Sequence, residues 1–385
     1  MGKVDFKVCM QGQECINSYY KGYAKGCEFC MRGEKLVLFI TGLCDNRCFY
    51  CPVSELKFGK DMIYANERKV ESFFDVLDEV NLTDAKGAGI TGGDPLKTLD
   101  KTVDFIKKMK IFFGKKFHIH LYTPLTLVNE NTLSKLYEAG LDEIRFHPDI
   151  FDDSLWDRMK LAKKYKWSVG IEIPVLPGHS ERVKKLMLYA VDIVEFFNLN
   201  ELELSDTKVK HYRLHDLRYE PKHELSYGVK GSEEEAIKLI EWAKQQNLSY
   251  KVYYCSAKLK DGVQLKNRLK RRAKNIAMPW EVETEEGTLI RGVIYAKDYE
   301  PSSSYLQHIM NEDKETALKS YEVIISQLRD MGLEDYFYDD FKKRLLVPID
   351  FLEEHAEVLK SKGMIPAIVE EYPTDDGLEV EIIFL

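Results

Sequence analysis

The chain has 385 residues and a net charge of −8, with 44% hydrophobic and 12% aromatic residues. This length allows one large domain and a smaller one, and the composition excludes a disordered or low-complexity protein. No apolar run approaches the roughly 20 residues that span a bilayer, and no secretory signal opens the sequence, so we expect a cytoplasmic protein that does not enter the membrane. Seven of the eight cysteines occur by residue 51, which in a reducing cytosol favours metal binding over disulfides.

The first predicted element is a four-cysteine segment. Cys9, Cys15, Cys27 and Cys30 have the spacing Cys-x5-Cys-x11-Cys-x2-Cys. Four thiolates in a segment too short for its own hydrophobic core predict a fold held by metal. Zinc and an iron–sulfur cluster both accept four thiolates, so the spacing leaves the metal open, with zinc as the preferred interpretation. Unligated thiols in a leader segment are the alternative.

From residue 35 onward, short apolar strands alternate with amphipathic helices, one of which is predicted to begin with a capping box formed by Ser232 and Glu235. This alternation predicts an α/β fold with parallel strands joined by right-handed crossovers. An open βα barrel and a doubly wound sheet both fit it. The predicted strands cover residues 35–41, 86–91, 117–122, 143–147, 168–174, 201–205 and 250–254.

Three cysteines follow the first of these strands, in a loop with the spacing Cys44-x3-Cys48-x2-Cys51. In either architecture chemistry gathers beyond the carboxyl ends of the strands, where "TGGDP" (residues 91–95) and Cys255 also lie. A structural zinc site is usually closed by four protein ligands. Three thiolates instead suit a [4Fe–4S] cluster with one iron open to an exogenous ligand.

These residues resemble the motifs of the radical S-adenosylmethionine (SAM) superfamily, with Tyr50 in the aromatic position before the third cysteine and "GGDP" one βα unit later. The resemblance covers about residues 34–255. It implies a partial (β/α)6 radical SAM barrel, and a [4Fe–4S] cluster on Cys44, Cys48 and Cys51 with SAM as the ligand of the fourth iron. The resemblance also implies that Tyr50 contributes to the binding of the cofactor.

The resemblance also implies contacts to SAM. Gly92, Gly93 and Asp94 would bind its amino group, although Asp stands where the family more often has Glu. Thr123 and Glu172 lie on the third and fifth strands, at positions where the family approaches SAM. Ordinary strand residues are the alternative for both.

Three further residues on these strands are candidates for function. Cys255 belongs to neither cysteine group and is placed to quench a substrate radical or form a covalent intermediate as a catalytic residue. Burial as a small apolar residue is the alternative. Arg145 and His147, two apart on one strand, predict an interior pair or a clamp for a carboxylate.

A basic segment follows at residues 258–276, with five Lys, three Arg and one Asp. Lys266, Lys270 and Lys274 form a row at helical spacing, which predicts a track for an RNA backbone. The alternative is a helix neutralised by the acidic C-terminal part, because residues 277–385 carry a net charge of −15 and residues 1–276 carry +7.

The remainder predicts a small α+β unit with a hairpin turning at residues 286–287. Its helices are predicted over 314–333 and 350–363, and its last strands over 365–371 and 378–385. The predicted organisation is a four-cysteine metal-binding segment at 1–33, the barrel at 34–257, a basic linker helix at 258–276 and an acidic α+β domain at 277–385.

The sequence thus predicts a radical SAM enzyme that reductively cleaves SAM to a 5′-deoxyadenosyl radical and modifies a macromolecule. RNA is the preferred substrate because of the basic helix. A peptide- or protein-modifying enzyme, similar to relatives of the pyruvate formate-lyase activating enzyme, is the second hypothesis, and a non-catalytic iron–sulfur sensor or scaffold is the third. Reduction of the cluster implies a partner such as ferredoxin or flavodoxin.

Overall fold

The computed structural model describes residues 17–224, 226–301 and 314–385. The chain divides into two compact units, the first ending at Arg268 and the second running from Leu269 to Leu385. This boundary falls within the helix Lys266–Ile276, so the basic segment is divided between the two units. No helix in the described ranges is both long enough and apolar enough to cross a membrane.

The first unit contains a ten-stranded sheet, in which seven parallel strands follow the order of the chain. Each parallel strand therefore neighbours the next parallel strand of the chain, as is usual for consecutive βα units. Antiparallel β1 borders β10, and the short hairpin of β3 and β4 borders β2. The strands are β1 (Asn17–Tyr20), β2 (Lys35–Thr41), β3 (Tyr64–Ala65), β4 (Arg68–Lys69), β5 (Gly87–Gly92), β6 (His118–Thr123), β7 (Glu143–Phe146), β8 (Ser168–Val175), β9 (Phe196–Glu201) and β10 (Lys251–Cys255).

The predicted strand over 201–205 is wrong. The other predicted parallel strands are confirmed to within one residue at each end. Strand β9 begins at Phe196, which lies opposite Gly170 of β8 and Lys251 of β10. Apolar and polar residues alternate both before and after Glu201, which is typical of a strand. Pairing with two neighbouring strands selects the earlier half as the strand.

Alternate residues on these strands face opposite sides of the sheet. On β7, Ile144 and Phe146 join the apolar core shared with the helices, whereas Arg145 borders an interior cavity. Side chains from every parallel strand border this one cavity of about 570 Å³. The sheet must curl for this to happen, so the predicted partial barrel is confirmed.

Apart from Lys25–Met31, which contacts the charges of the barrel interior, the helices of the first unit pack against the apolar core of the sheet, and two of them begin with capping boxes. Ser72 and Asp75 form a capping box on the second helix. The predicted box at Ser232 is wrong, because Gly231 is the N-cap and the Ser232 hydroxyl donates to the Val175 carbonyl at 2.8 Å. The helices are Lys25–Met31, Phe73–Leu82, Leu99–Phe113, Glu130–Ala139, Ser180–Tyr189 and Ser232–Gln245.

In its described residues the second unit contains an antiparallel sheet and the helices Lys314–Asp330 and Ile349–Ser361, besides the end of Lys266–Ile276. The predicted hairpin is confirmed, with Gly287 at a φ of 87° in its turn. Strands β13 and β14 were not predicted because they have only 3 and 4 residues and a charged turn joins them, yet Arg344 is fully buried and pairs with Glu371 at 2.6 Å. The strands are β11 (Val282–Glu283), β12 (Leu289–Ala296), β13 (Phe337–Asp339), β14 (Arg344–Val347), β15 (Met364–Glu371) and β16 (Glu379–Phe384).

Candidate functional site

The cysteine loop begins where β2 ends, and its base is closed by backbone hydrogen bonds. Gly42 N donates to the Lys60 carbonyl at 2.8 Å, and Gly59 N donates to the Gly42 carbonyl at 2.8 Å. Gly42 must lack a side chain, because a Cβ there would collide with the Lys57 carbonyl oxygen. The loop is therefore a closed excursion anchored at the rim of the barrel.

Cys44, Cys48 and Cys51 are partly exposed and border the barrel cavity. Burial, followed by the neighbouring thiols, raises the pKa of Cys48 to about 12. Thiolates in this loop therefore need a compensating cation, and a metal centre supplies one.

The donor set fits an iron–sulfur cluster better than a single ion. Among the described residues, no three His, Cys, Asp or Glu side chains are arranged to hold one metal ion. Cysteines that hold a cluster bind different irons, so they need not converge on a single point. Cys44, Cys48 and Cys51 would each hold one iron.

The Gly-Gly-Asp segment that follows β5 lies directly against the cysteine loop. Gly93 N donates to the Thr41 carbonyl and Asp94 N donates to the Leu43 carbonyl, both at 2.8 Å. A Cβ on Gly93 would lie 2.7 Å from the Leu43 carbonyl carbon and 3.0 Å from Cys44 Cβ. Glycine is required here because the backbone itself contacts the loop.

We expect Gly93→Ala to destabilise the first unit by about 1–3 kcal/mol and to lower the iron bound after anaerobic reconstitution, because the added methyl group forces the cysteine loop away. Iron analysis and urea unfolding measure the two effects. Gly262→Ala is the matched control, since a Cβ at Gly262 meets nothing within 4 Å. Unchanged iron content and unfolding midpoint in the Gly93 variant would show that the close contact is unimportant.

Asp94 is buried beside the loop, and the structure brings it together with Thr123. Its Oδ1 accepts from Thr123 Oγ1 at 2.8 Å and from Leu96 N at 3.0 Å. Burial raises the pKa of Asp94 above its ordinary value. Gly92, with a φ of 133°, makes the turn that leads to it. The predicted SAM contacts Gly92, Gly93, Asp94 and Thr123 thus lie beside the cysteine loop.

Tyr50 is fixed by a chain of hydrogen bonds from the neighbouring strands. Its hydroxyl lies 3.0 Å from His147 Nε2, and His147 Nδ1 lies 2.9 Å from the Glu172 carbonyl oxygen. Because a carbonyl only accepts, Nδ1 carries the proton and Nε2 accepts from Tyr50. Burial lowers the pKa of His147, which keeps the ring neutral. The sequence prediction did not anticipate this contact between Tyr50 and His147.

Arg145 lies at the centre of the barrel interior, with 2% of its surface exposed. Its guanidinium donates to Glu143 Oε1 at 2.6 Å, to Glu172 Oε2 at 2.7 Å and to the Tyr122 hydroxyl at 3.0 Å. Arg145 and His147 both line the interior cavity and are hydrogen-bonded by other residues of the protein, as the prediction of an interior pair expects. The carboxylates that Arg145 binds are those of Glu143 and Glu172, so the predicted clamp holds side chains of the protein itself.

Glu172 is held by three donors inside the barrel. Besides Arg145, Asn198 Nδ2 donates to it at 2.8 Å and Asn200 Nδ2 at 2.9 Å. Burial favours a raised pKa, but Arg145 and the two amides outweigh it, so the pKa of Glu172 lies below its ordinary value. The predicted contact between Glu172 and SAM stays a prediction.

The helix Lys25–Met31 packs against these interior charges through the backbone of Gly26, which has no side chain. Gly26 N donates to Glu143 Oε2 at 3.1 Å, and a Cβ on Gly26 would lie 2.7 Å from Glu143 Oε1. The same helix carries Cys27 and Cys30, which border the cavity that the loop cysteines border. Their predicted partners Cys9 and Cys15 lie outside the described residues.

Lys35, at the start of β2, is buried beside His118. Its Nζ lies 2.8 Å from His118 Nδ1 and donates to the carbonyls of Ala88 and His118. Burial lowers the pKa of Lys35 to about 7 and that of His118 to about 2. His118 is therefore uncharged in neutral solution, whereas Lys35 loses its proton near neutral pH.

We expect stability to rise between about pH 7 and pH 9 relative to a Lys35→Met variant. In this window the unfolded chain keeps the Lys35 proton and the folded chain has lost it, so unfolding becomes less favourable as the pH rises. Urea unfolding at several pH values measures the difference. Lys86→Met, at a half-exposed lysine, is the control, and a pH-independent difference for Lys35→Met would contradict the expectation.

The basic segment does not present a continuous cationic face. Arg268 is buried in the first unit, where it pairs with Glu67, and Arg272 is buried in the second unit, where it donates to the Pro373 carbonyl. Of the predicted lysine row, Lys274 is exposed, whereas Lys266 and Lys270 are half-buried. Two of the three arginines thus serve the fold, which removes much of the basis for an RNA track.

A cysteine loop at the rim of a partial βα barrel, in contact with a Gly-Gly-Asp segment, defines an iron–sulfur enzyme of the radical SAM type. Residues 38–190 match the family described as the radical SAM superfamily. A protein of Methanocaldococcus jannaschii, named "Putative glycyl-radical enzyme activating enzyme", is 40% identical over 370 residues, which cover 93% of this chain and 92% of that protein. The chain belongs to the radical SAM superfamily.

Other similarities are narrower. A GTP 3′,8-cyclase of Staphylococcus aureus is 32% identical over 153 residues, covering 36% of this chain and 44% of that enzyme. The radical SAM methyltransferase TsrM of Kitasatospora setae has a TM-score of 0.37 and 13% identity over 68% of this chain and 56% of its own. Methylornithine synthase has a TM-score of 0.38 and 12% identity over 57% of this chain and 70% of its own. Both structural likenesses are too low to bear on function. Residues 287–385 match a domain of unknown function, DUF8061.

Proposed function

We propose that this enzyme cleaves SAM reductively and uses the resulting radical to modify a protein substrate. The observation that carries the proposal is the contact between the cysteine loop and the Gly-Gly-Asp segment, made by Gly93 and Asp94 at the mouth of the interior cavity. The name of the Methanocaldococcus relative supports a protein as the substrate. Nothing comparable supports RNA.

Each residue of the rim has a role in this proposal. Cys44, Cys48 and Cys51 would hold a [4Fe–4S] cluster, and that cluster would supply the electron for reductive cleavage of SAM to methionine and a 5′-deoxyadenosyl radical. The Asp94 carboxylate would accept from the SAM ammonium group, and Thr123 holds that carboxylate in place through Oδ1. A redox partner such as ferredoxin or flavodoxin supplies the electron to the cluster.

The interior cavity limits how much of a substrate can enter. Its volume of about 570 Å³ lies within the usual range of small-molecule pockets. Such a space can enclose SAM together with a small part of a macromolecule, such as one loop of a protein. The buried, hydrogen-bonded walls around Arg145 and Glu172 would shield a radical from water.

The four cysteines Cys9, Cys15, Cys27 and Cys30 are proposed to bind a further metal centre. Zinc and a second iron–sulfur cluster remain the two alternatives for this set as a whole. Cys27 and Cys30 support the proposal because they lie on one helical turn and border the same cavity.

The substrate class can be tested with soluble extract from a strain that lacks this gene. The reconstituted enzyme, dithionite and SAM are added anaerobically to extract treated with either protease or ribonuclease, and 5′-deoxyadenosine is measured. We expect the extract to stimulate its formation and protease to remove the stimulation. Loss after ribonuclease alone would refute a protein substrate and support RNA. A buffer without extract gives the uncoupled rate.

A further inference from the structure

Cys255 lies in the same interior environment as the cysteines of the N-terminal helix. Cys27 and Cys255 belong to one buried cluster that also contains Phe196 and Tyr253. Cys30 borders the same cavity as both. These three thiols, which we name the inner thiol group, come from the helix Lys25–Met31 and from the end of β10.

Nitrogen donors point at the sulfurs of this group. Cys27 Sγ accepts from Arg145 Nη2 at 3.5 Å and from Asn198 Nδ2 at 3.3 Å, and Cys255 Sγ accepts from Gln264 Nε2 at 3.4 Å. A neutral thiol sulfur is a weak acceptor, so it gives little reason to direct a buried guanidinium and an amide at one sulfur. Metal-bound thiolates carry negative charge, and N–H donors to their sulfurs tune such centres.

The surroundings contain a second sign of a missing ligand. His120 is 2% exposed and borders the cavity, yet its buried Nδ1 has no hydrogen-bond partner among the described residues. Its Nε2 lies 3.2 Å from the Tyr122 hydroxyl, so when that hydroxyl donates to Nε2, Nδ1 carries a proton that a cluster sulfide can accept. Buried polar atoms are rarely left unpaired, so a bound group is expected nearby.

We propose that Cys27, Cys30 and Cys255 bind a second iron–sulfur cluster inside the barrel. The proposal rests on the metal centre proposed for the N-terminal cysteines and extends it by making Cys255 a ligand. A single zinc ion would need its ligands to converge at about 2.3 Å. The inner thiols come from separate elements and suit a cluster, in which each thiolate binds its own iron.

With this second cluster, cysteines that bind iron would line the cavity on two sides. The loop cysteines Cys44, Cys48 and Cys51 border it from the rim, and the inner thiol group borders it from the N-terminal helix and β10. A substrate segment in the cavity would then lie near two iron–sulfur centres. Cys255 would be a metal ligand in place of a free catalytic thiol.

The test uses the full-length chain with Cys44, Cys48 and Cys51 all changed to Ala, so that the loop holds no cluster. After anaerobic reconstitution with iron and sulfide, we expect about four irons and four sulfides per chain. Adding Cys255→Ala should reduce the iron to less than about one per chain, or leave a three-iron cluster with its distinct electron paramagnetic resonance signal. Val252→Ala, at a buried residue of the same strand, controls for loss of packing.

Three results would overturn the proposal: no metal in the triple variant, one zinc in place of iron, or iron and sulfide unchanged by Cys255→Ala. The urea midpoint of the Cys255 variant must match that of Val252→Ala, and reconstitution of Cys255→Ser gives a second measure if Cys255→Ala unfolds. The proposed SAM cleavage is tested separately, by measuring 5′-deoxyadenosine formed by the wild-type enzyme. If the wild-type enzyme forms no 5′-deoxyadenosine while the triple variant binds four irons, the proposed SAM cleavage is refuted and the inner cluster is not.

Discussion

We expect the Cys48→Ala variant to release no detectable 5′-deoxyadenosine when it is reduced with dithionite in the presence of SAM. Cys48 is one of the three thiolates proposed for the loop cluster, and its loss leaves a second iron without a protein ligand. The effect should be at least about a thousandfold, because no other group on the rim can replace a thiolate. Chromatographic measurement of 5′-deoxyadenosine per chain tests it.

Leu56→Ala is the control for this experiment. Leu56 lies shortly after the cysteine loop and is 69% exposed, so its truncation should change the rate by less than about twofold. Cys44→Ala and Cys51→Ala should behave as Cys48→Ala does. A Cys48 variant that keeps more than about a tenth of the wild-type rate would show that the loop does not hold the reacting cluster.

The second large effect is expected from Arg145→Met, which should destabilise the first unit by about 3–5 kcal/mol. Its guanidinium is buried between Glu143 and Glu172, and removing it leaves both carboxylates buried without their cation. For a unit of this size the melting temperature should fall on the order of 10 °C. Urea and thermal unfolding measure both quantities.

An exposed ion pair provides the comparison. Arg213 lies 3.8 Å from Asp216 with more than half of its side chain exposed, so Arg213→Met should cost less than about 1 kcal/mol. Combining Arg145→Met with Glu172→Gln should recover part of the lost stability, because one uncompensated charge is removed. Equal unfolding midpoints for the two arginine variants would contradict the role given to the interior network.

The rim of the barrel could be predicted from the sequence because its determinants are local. The spacing of Cys44, Cys48 and Cys51 is contained in eight residues, and Gly-Gly-Asp follows one strand later. Both motifs depend on the ends of adjacent parallel strands. Once the strands were placed, their juxtaposition followed from the architecture.

The barrel interior was predicted only in part: Arg145 and His147 were expected to face it, but the network that joins its charges was not. In "HIHLYT" and "EIRF" every second residue is polar or charged, which is typical of a strand with one apolar and one polar face. Sequence alone could not say that Arg145 meets Glu172 of the next strand, since this depends on the register between β7 and β8. Nor could it place Gly26, whose missing side chain lets a helix contact Glu143.

The basic helix shows the limit of charge counting. Residues 258–276 have a net charge of +7, but this number does not distinguish cations that face solvent from those that serve the fold. Arg268 and Arg272 are buried, at 9% and 6% exposure. Aliphatic stems and multiple donors let arginine pack within a fold, so a count of cations overstates the surface available to RNA.

The central claim is that this chain cleaves SAM at a reduced cluster, and its most direct test is the product balance of the wild-type enzyme. The anaerobically reconstituted protein is reduced with dithionite, given SAM, and assayed for 5′-deoxyadenosine and methionine together. We predict that both form in equal amounts and that neither forms without dithionite or with the Cys44, Cys48 and Cys51 triple variant. Intact SAM in the presence of a reduced, iron-loaded wild-type protein would contradict the account.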